Sequence, residues 1–366
     1  MPVRVLHVTS SYPRWSGDVA GAFVASTATA LVRAGAEVAV LAPHAPGAAV
    51  EEDLDGVRVR RYRYGPEPLE RLAYGGGLPA NARTPVGAAM VGPLLAAATV
   101  ELRRLVRRWR PDVVHAHWWL PSGLVALGLG VPLVVTVHGS DARFARAPGV
   151  ARLARLVLRR ADAVATVSEA LQRDIAALGI EADVVRMPAE AFGAVGPIPS
   201  GPPWRVLAIG RLTPEKGFDV LVEAAARAHV GVDLVGPGSP AVLAALARRH
   251  GADARFHGPL PHADIVPLLE SAAAVVVPSR REGLGLVALE ALAAGRPVIA
   301  SDVGGLPEVV GEGDGVLLAP DDVTALAAAL GGLPLPPPRA AAAARHAPAA
   351  VAAAHLALYE RVLSAR

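Results

Sequence analysis

The stretch AVVVPSRREGLGLVALEALAAGRPVIAS, residues 274–301, decides the fold class. AVVVPS opens with an unbroken β-branched run, the pattern of a strand covered on both faces. From Leu286 to about Gly295 the Ala/Leu spacing predicts a helix, with a glycine where helices often stop. PVIAS then begins a second buried strand. Two strands joined through a helix run parallel. The intervening loop holds Glu282, Gly283, Leu284 and Gly285. Glycines at a helix start let backbone approach a ligand, and the unpaired N–H groups there attract anions. Glu290 lies roughly 7 Å further along the axis at ~1.5 Å per residue, about the distance from a pyrophosphate to its ribose. The same residues also fit a plain turn followed by a solvated glutamate, so this stretch alone leaves both readings open.

The alternation extends in both directions. VRVLHVT (3–9), EVAVLAP (37–43), DVVHAH (112–117), PLVVTVH (132–138) and AVATVS (163–168) read as strands, as do WRVLAIG (204–210), VDLVG (232–236), ARFHG (254–258) and PVIAS (297–301). Helical patterns such as AFVASTATALVRAG separate them. A chain of 366 residues exceeds what one core usually holds, and MPAEAFGAVGPIPSGPP (187–203) is a Pro/Gly linker by composition. The expectation is an α/β protein of two doubly wound, Rossmann-like domains: 1–190, a linker 191–203, and 204–347. A proline run, LPLPPP (333–338), precedes a final helix expected from about Ala340 to Ala365. Such sheets bind ligands beyond the carboxyl ends of their strands, so the expected site is the cleft between the domains.

Composition narrows the function. Hydrophobic residues make up 52 % of the chain and the net charge is only +3. The arginine excess follows the Ala/Gly/Pro-rich background, so nucleic acid is not an expected partner. The first 190 residues carry 22 basic and 17 acidic side chains, an asymmetry that favours an anionic acceptor or a membrane surface on that half. With no cysteine, disulfides and thiolate metal sites are excluded. MPVRVLHVTSSYP lacks the apolar core of a leader. The longest apolar run, GLVALGLGVPLVVTV, is broken by Gly and Pro and falls short of the ~20 residues of a spanning helix. These features lead us to expect a soluble, cytoplasmic protein.

Lys216 is the only lysine among 36 basic residues. With Arg211 it flanks a turn directly after a predicted strand. Arginine forks across two oxygens, whereas lysine is a compact, mobile point charge; two such cations at a strand end suit a diphosphate.

Together these segments resemble the family-4 glycosyltransferases, which have the two-Rossmann-domain GT-B architecture. The resemblance is carried by SSYPRWSGDVAGAFV, DVVHAHWWLPSG, VVTVHGSD, GRLTPEKGFDVLVEA, FHGPLP and EGLGLVALEALAAGRPVIASDVGGLPEVV, the last with the E-x7-E pattern of Glu282 and Glu290. It implies a retaining, metal-independent transfer of a hexose from a UDP- or GDP-sugar to a hydroxyl of a glycan, lipid or small molecule, with no cofactor. By resemblance, Arg211 and Lys216 neutralise the diphosphate and Glu290 binds the ribose. Glu282 with Gly283, Leu284 and Gly285 holds the donor sugar, and Leu260 lies beside the base. Gly17 and Gly21 form the glycine loop of the first domain, His138 is the histidine near the reacting sugar, and the last helix (348–366) returns to the N-terminal domain. Gly17-Asp18 departs from the paired glycines common in the family, and MPAEAF from its usual Asn-Gly-Val-Asp-like turn.

His115 and His117 share a strand face but lack a third zinc ligand at a recognisable spacing, so no metal site is expected. His117, Trp118 and Asp141 are placed on the acceptor side. VGPGSPA (235–241) matches a loose dinucleotide pattern without the acidic residue that should follow. ELRRLVRRWRP (101–111) and RLARLVLRR (152–160) read as amphipathic helices, either surface helices with snorkelling arginines or peripheral contacts at the inner membrane face. The alternatives are a sugar-nucleotide 2-epimerase of the same fold and a non-catalytic nucleotide-sugar-binding protein.

Overall fold

The computed structural model describes residues 2–15, 17–74, 78–147, 149–189, 193 and 195–365. Of the predicted linker, residues 191, 192 and 194 lie outside the described residues, as do Ser16 of the first glycine loop and residue 190 at the predicted boundary. The chain divides into two compact units: Met1–Pro188 with Ala347–Arg366, and Ala189–His346.

In the first unit the strands are β1 (Arg4–Val8), β2 (Glu37–Pro43), β3 (Glu51–Leu54), β4 (Val57–Tyr62), β5 (Val113–His117), β6 (Leu133–Val137), β7 (Ala163–Thr166) and β8 (Asp183–Val184). Their order is β3-β4-β2-β1-β5-β6-β7-β8. Every pair is parallel except the β3–β4 hairpin. In the second unit β9 (Arg205–Ile209), β10 (Gly231–Val235), β11 (Ala254–Gly258), β12 (Ala274–Val277), β13 (Val298–Ser301) and β14 (Gly315–Leu318) form an all-parallel sheet in the order β11-β10-β9-β12-β13-β14. The central strands are buried on both faces, as unbroken apolar runs require: Val206, Leu207, Val275 and Val298 are fully inaccessible.

Each sheet has one point where the strand order reverses. In the first unit it lies between β1 and β5, in the second between β9 and β12. Loops leaving the carboxyl ends of these neighbours diverge to opposite sides and leave a crevice for a ligand.

The final helix runs Pro348–Ser364, shorter than expected from Ala340. Pro348 sets the start, because proline suits the first helical turn but disfavours helix just before it. The helix lies against Ala22–Arg33 in the first unit and buries Ala352, Leu358 and Tyr359 there. The arginine-rich helix also differs: it spans Pro85–Trp109. By length and composition alone it could cross a membrane, yet Met90, Leu94, Ala98 and Leu102 form a buried stripe at helical spacing.

Candidate active site

Two loops leave the switch point of the second unit. The one after β9 carries Arg211 and Lys216; the one after β12 carries Ser279 and Glu282. Lys216 Nζ donates to Glu282 Oε2 at 2.6 Å, and Ser279 Oγ donates to the same oxygen at 3.1 Å. The side chains of Lys216 and Glu282 retain 21 % and 17 % of their exposure, so the pair is partly desolvated but open to a ligand. Gly285 caps the helix Leu286–Ala293, whose first-turn amides follow directly on Glu282. Gly304 and Gly305 pack against the backbone of Glu282, Gly283 and Leu284 so closely that a Cβ at either would clash, which fixes the loop's path. Glu290 is half-buried on that helix. Arg211 is exposed just past β9 and makes no ion pair among the described residues. Leu260 sits, half-buried, in the turn between β11 and the helix His262–Ser271. The structure thus joins Lys216 to Glu282 directly and places Arg211, Leu260, Gly283, Leu284 and Gly285 on loops at the carboxyl end of one sheet, with Glu290 midway along the helix Leu286–Ala293.

In the first unit the switch point carries the other set. Gly17 and Gly21 follow β1, both with positive φ. A Cβ at Gly21 would lie 2.3 Å from the Ser11 carbonyl oxygen, so this position admits only glycine. The missing second glycine of a pair is replaced by a salt-bridged aspartate. Asp18 accepts from Arg14 Nε at 2.6 Å, Arg14 Nη2 at 3.0 Å and the Ala20 amide at 3.2 Å. Burial alone would raise the Asp18 carboxyl, but these bonds hold it below the usual carboxylate range. After β6, the Asp141 carboxylate accepts from the amides of His138 (2.9 Å), Gly139 (3.1 Å) and Trp119 (3.3 Å). Burial pushes its pKa up to about 6 against the pull of those amides. Trp119 is fully buried, whereas Trp118 is half-buried and packs edge-on to Phe23 and beside the His138 ring.

Comparison with known proteins follows the same division. The family described as a glycosyl transferase 4-like domain matches residues 20–189, and that described as glycosyl transferases group 1 matches residues 203–333. The glycogen synthase of Mycobacterium tuberculosis is 34 % identical over 361 residues, which cover 90 % of this chain and 85 % of that relative. The chain belongs to the family-4 glycosyltransferases. The D-inositol 3-phosphate glycosyltransferase of Mycobacterium avium is 33 % identical over 96 % of this chain and 89 % of its own. Sucrose-phosphate synthase from Thermosynechococcus elongatus shares the GT-B fold with a TM-score of 0.79, at 24 % identity over 99 % of this chain and 100 % of that one. HepE of Anabaena, solved with UDP-glucose, does so with a TM-score of 0.67 at 19 % identity, over 99 % and 98 %. These relatives give no support to the epimerase reading, which is set aside.

This glycosyltransferase also contains a buried histidine chain that sequence reasoning saw only in part. His138 Nε2 meets His117 Nδ1 at 3.0 Å, and His117 Nε2 meets His7 Nδ1 at 2.9 Å. Burial lowers the pKa of His7 and of His138 to about 3 and that of His117 well below its ordinary value, so all three rings are neutral at pH 7. Three neutral imidazoles hold three N–H protons, and the two links consume one each. The third proton therefore sits at one end, on His138 Nδ1 or His7 Nε2. Both atoms are buried without a partner among the described residues. The tautomer of His138 is thus tied to that of His7, across the sheet.

His7 stands opposite His115 in the β1–β5 register, and with His117 the three form a cluster of metal-ligand type, their nitrogens within 4.8 Å of one another. His7 is the third candidate that spacing did not reveal, because it lies on another strand. In the described arrangement His7 and His117 bond each other, while His115 gives its nitrogens to Tyr359 Oη and Thr136 Oγ1, both at 2.7 Å. The chain's one D-x-D triplet, Asp53-Leu54-Asp55, lies at the β3–β4 turn, where Asp53 accepts from the Gly56 amide.

Proposed function

We propose that the chain transfers a hexose from a nucleoside diphosphate sugar to a hydroxyl acceptor with retention of anomeric configuration and without a metal in the donor site. The observation that carries this reading is the Lys216–Glu282 pair, set at the switch point and at the start of a helix. On this reading the diphosphate is neutralised by Arg211, Lys216 and the amides around Gly283–Leu286, which supply fixed positive charge where the leaving group develops its own. Glu282 turns from the lysine to the donor sugar's hydroxyls, and Glu290 accepts from the ribose. Leu260 borders the base. In the first unit, Gly17 and Gly21 are the proposed donor-binding glycines, His138, whose amide donates to Asp141, a proposed catalytic residue, and His117 and Trp118 the proposed acceptor-side residues.

Transfer proceeds on one face: the bond from the anomeric carbon to the diphosphate oxygen breaks as the acceptor hydroxyl bonds to that carbon, and its proton passes to the departing phosphate. UDP-glucose is the first donor to test, because HepE, of the same fold, was solved with it; a GDP-sugar is the alternative. The relatives are named for glycogen and for D-inositol 3-phosphate, which makes a glycan or a polyol phosphate the first acceptors to try. The protein would work in the cytoplasm, with peripheral contact at an anionic membrane through Ala151–Leu158, where Leu153 and Leu156 are exposed among arginines. Proton NMR of the reaction mixture tests the central step. A new anomeric signal with the donor's configuration supports it; an inverted product, or a trapped glycosyl adduct on an Asp or Glu, overturns it.

A further inference from the structure

We infer that Arg280 is a positioning residue that clamps the Arg211–Gly217 loop to the Pro278–Gly285 loop and so sets where Lys216 meets the donor diphosphate. The inference rests on the donor site proposed above. Arg280 follows Ser279 on the loop after β12. Its backbone amide donates to the Glu215 carbonyl at 2.9 Å. Its guanidinium reaches three segments at once. Nη1 donates to the Pro214 carbonyl at 2.5 Å and to Asp219 Oδ1 at 2.9 Å, Nη2 to Asp219 Oδ2 at 2.7 Å, and Nε to Asp321 Oδ1 at 2.6 Å. Pro214 and Glu215 are in the turn that presents Lys216, and Asp219 stands in the first turn of the helix that follows it. Asp321 lies after β14.

These contacts bracket the lysine on both sides. Between the brackets the two loops touch through backbone: a Cβ on Gly217, where φ is +65°, would lie 2.0 Å from the Pro278 carbonyl oxygen. Lys216 is therefore held from its N-terminal side by Arg280 on Pro214 and Glu215, and from its C-terminal side by Gly217 against Pro278 and by Asp219 in the arginine fork. A single exposed ion pair would do little. Here four side-chain bonds converge on one planar group whose side chain is only 29 % exposed. Arg280 also pulls Asp219 below the usual carboxylate range against the opposing effect of burial. Arg280 bonds neither Lys216 nor Glu282, so it acts on the donor through the lysine's position. The geometry needs a fork, which a lysine cannot supply. Arg281, the next residue, is exposed and makes no hydrogen bond or ion pair among the described residues, which makes it an internal control.

The test uses the full chain in two measurements. Without nucleotide, amide hydrogen exchange is compared between wild type, Arg280→Ala and Arg281→Ala. The clamp requires faster exchange in residues 211–217 and 278–285 of Arg280→Ala only, with the β9 and β12 strands unchanged. Wild-type exchange in those loops would overturn it. Calorimetric titration with UDP and GDP follows. Arg280→Ala and Arg280→Lys should each weaken the bound nucleotide about tenfold, part of the value of a charged hydrogen bond, and Arg281→Ala less than twofold.

Donor KM should rise about tenfold in Arg280→Ala, with kcat at saturating donor little changed. Lys216→Ala/Arg280→Ala should bind no more weakly than Lys216→Ala alone. A further tenfold loss in the double variant would mean that Arg280 acts independently of the lysine, and would overturn the inference. Asp219→Asn opens the fork from the other side, keeps Arg280, and should reproduce the loss if Arg280→Ala fails to fold. A wild type that binds no nucleoside diphosphate would sink the donor-site reading, and the exchange measurement would still decide the clamp.

Discussion

Glu282→Gln should separate the two halves of the donor in opposite directions. In the free protein Lys216 is engaged by Glu282 at 2.6 Å, so an incoming diphosphate must draw the lysine away or share it. At about one-fifth exposure of each partner, such a pair is worth on the order of 1 kcal/mol. The glutamine keeps the shape but releases the ammonium and removes a negative charge near the phosphates. UDP, or GDP if that is the base, should therefore bind about fivefold more tightly, since ~1.4 kcal/mol is tenfold. The sugar responds the other way. A hydroxyl bonded to a carboxylate is worth about 1.5–3 kcal/mol, against about 0.5–1.5 for a neutral acceptor. Relative to the free nucleotide, the donor should then lose about tenfold, a net fall in kcat/KM of about twofold once the gain at the phosphates is included. Calorimetry of the free nucleotide against the nucleotide sugar, with steady-state kinetics on the same preparations, gives both numbers. If Glu282→Gln weakens the free nucleotide as much as the nucleotide sugar, the reasoning from the ion pair is wrong.

Three further outcomes follow from the first unit and the donor site. Gly21→Ala adds a methyl 2.3 Å from the Ser11 carbonyl at φ +67° and should lower stability by about 2–3 kcal/mol, read as a drop in denaturation midpoint; an unchanged midpoint would refute the close approach. Acid should destabilise the first unit. His7 and His138, with folded pKa values near 3, bind fewer protons folded than unfolded between pH 6.5 and 3, so stability rises with pH there and is lost as pH falls. At pH 5 each contributes about 2 kcal/mol of loss. Asp141, raised to about 6, works oppositely, losing stability as pH rises from about 4 to 6. Melting curves from pH 7.5 to 5 should therefore shift down, and His7→Phe should reduce the slope by about one proton. Finally, prolonged treatment with a chelator should leave the transfer rate unchanged if arginine, lysine and helix amides do the work at the diphosphate; restoration by added Mg²⁺ would contradict that.

Each expected strand is present, most of them because a strand covered on both faces must be apolar throughout and such runs are visible in one dimension; β11, ARFHG, is a partly exposed edge strand. What escaped lies where that rule lapses. The β3–β4 hairpin reads EEDL and VRVRRY: its charges are real, but Arg60 pairs with Glu51 and Glu101, and fully buried Arg61 donates to the Ala49 and Pro13 carbonyls. The strand β8 has only two residues, and β14, GVLL, is an edge strand half-buried along its length. The site divides in the same way. Lys216 and Glu282 were each legible from local composition, yet their contact spans 66 residues and depends on β9 lying beside β12. His7 joins His117 across 110 residues for the same reason. Arg14 and Arg280 carried no local signal, because an arginine in an arginine-rich chain looks like background until its partners are known.

Thermal unfolding of wild type and Lys216→Ala with UDP, GDP, ADP and NAD tests the donor site most directly. A ligand at ~100 times its dissociation constant adds ~2.7 kcal/mol, enough to raise the melting temperature by a few degrees. The account requires one nucleoside diphosphate to stabilise wild type and the shift to shrink in Lys216→Ala. Stabilisation by NAD alone, or by no nucleotide in a folded protein, would contradict it.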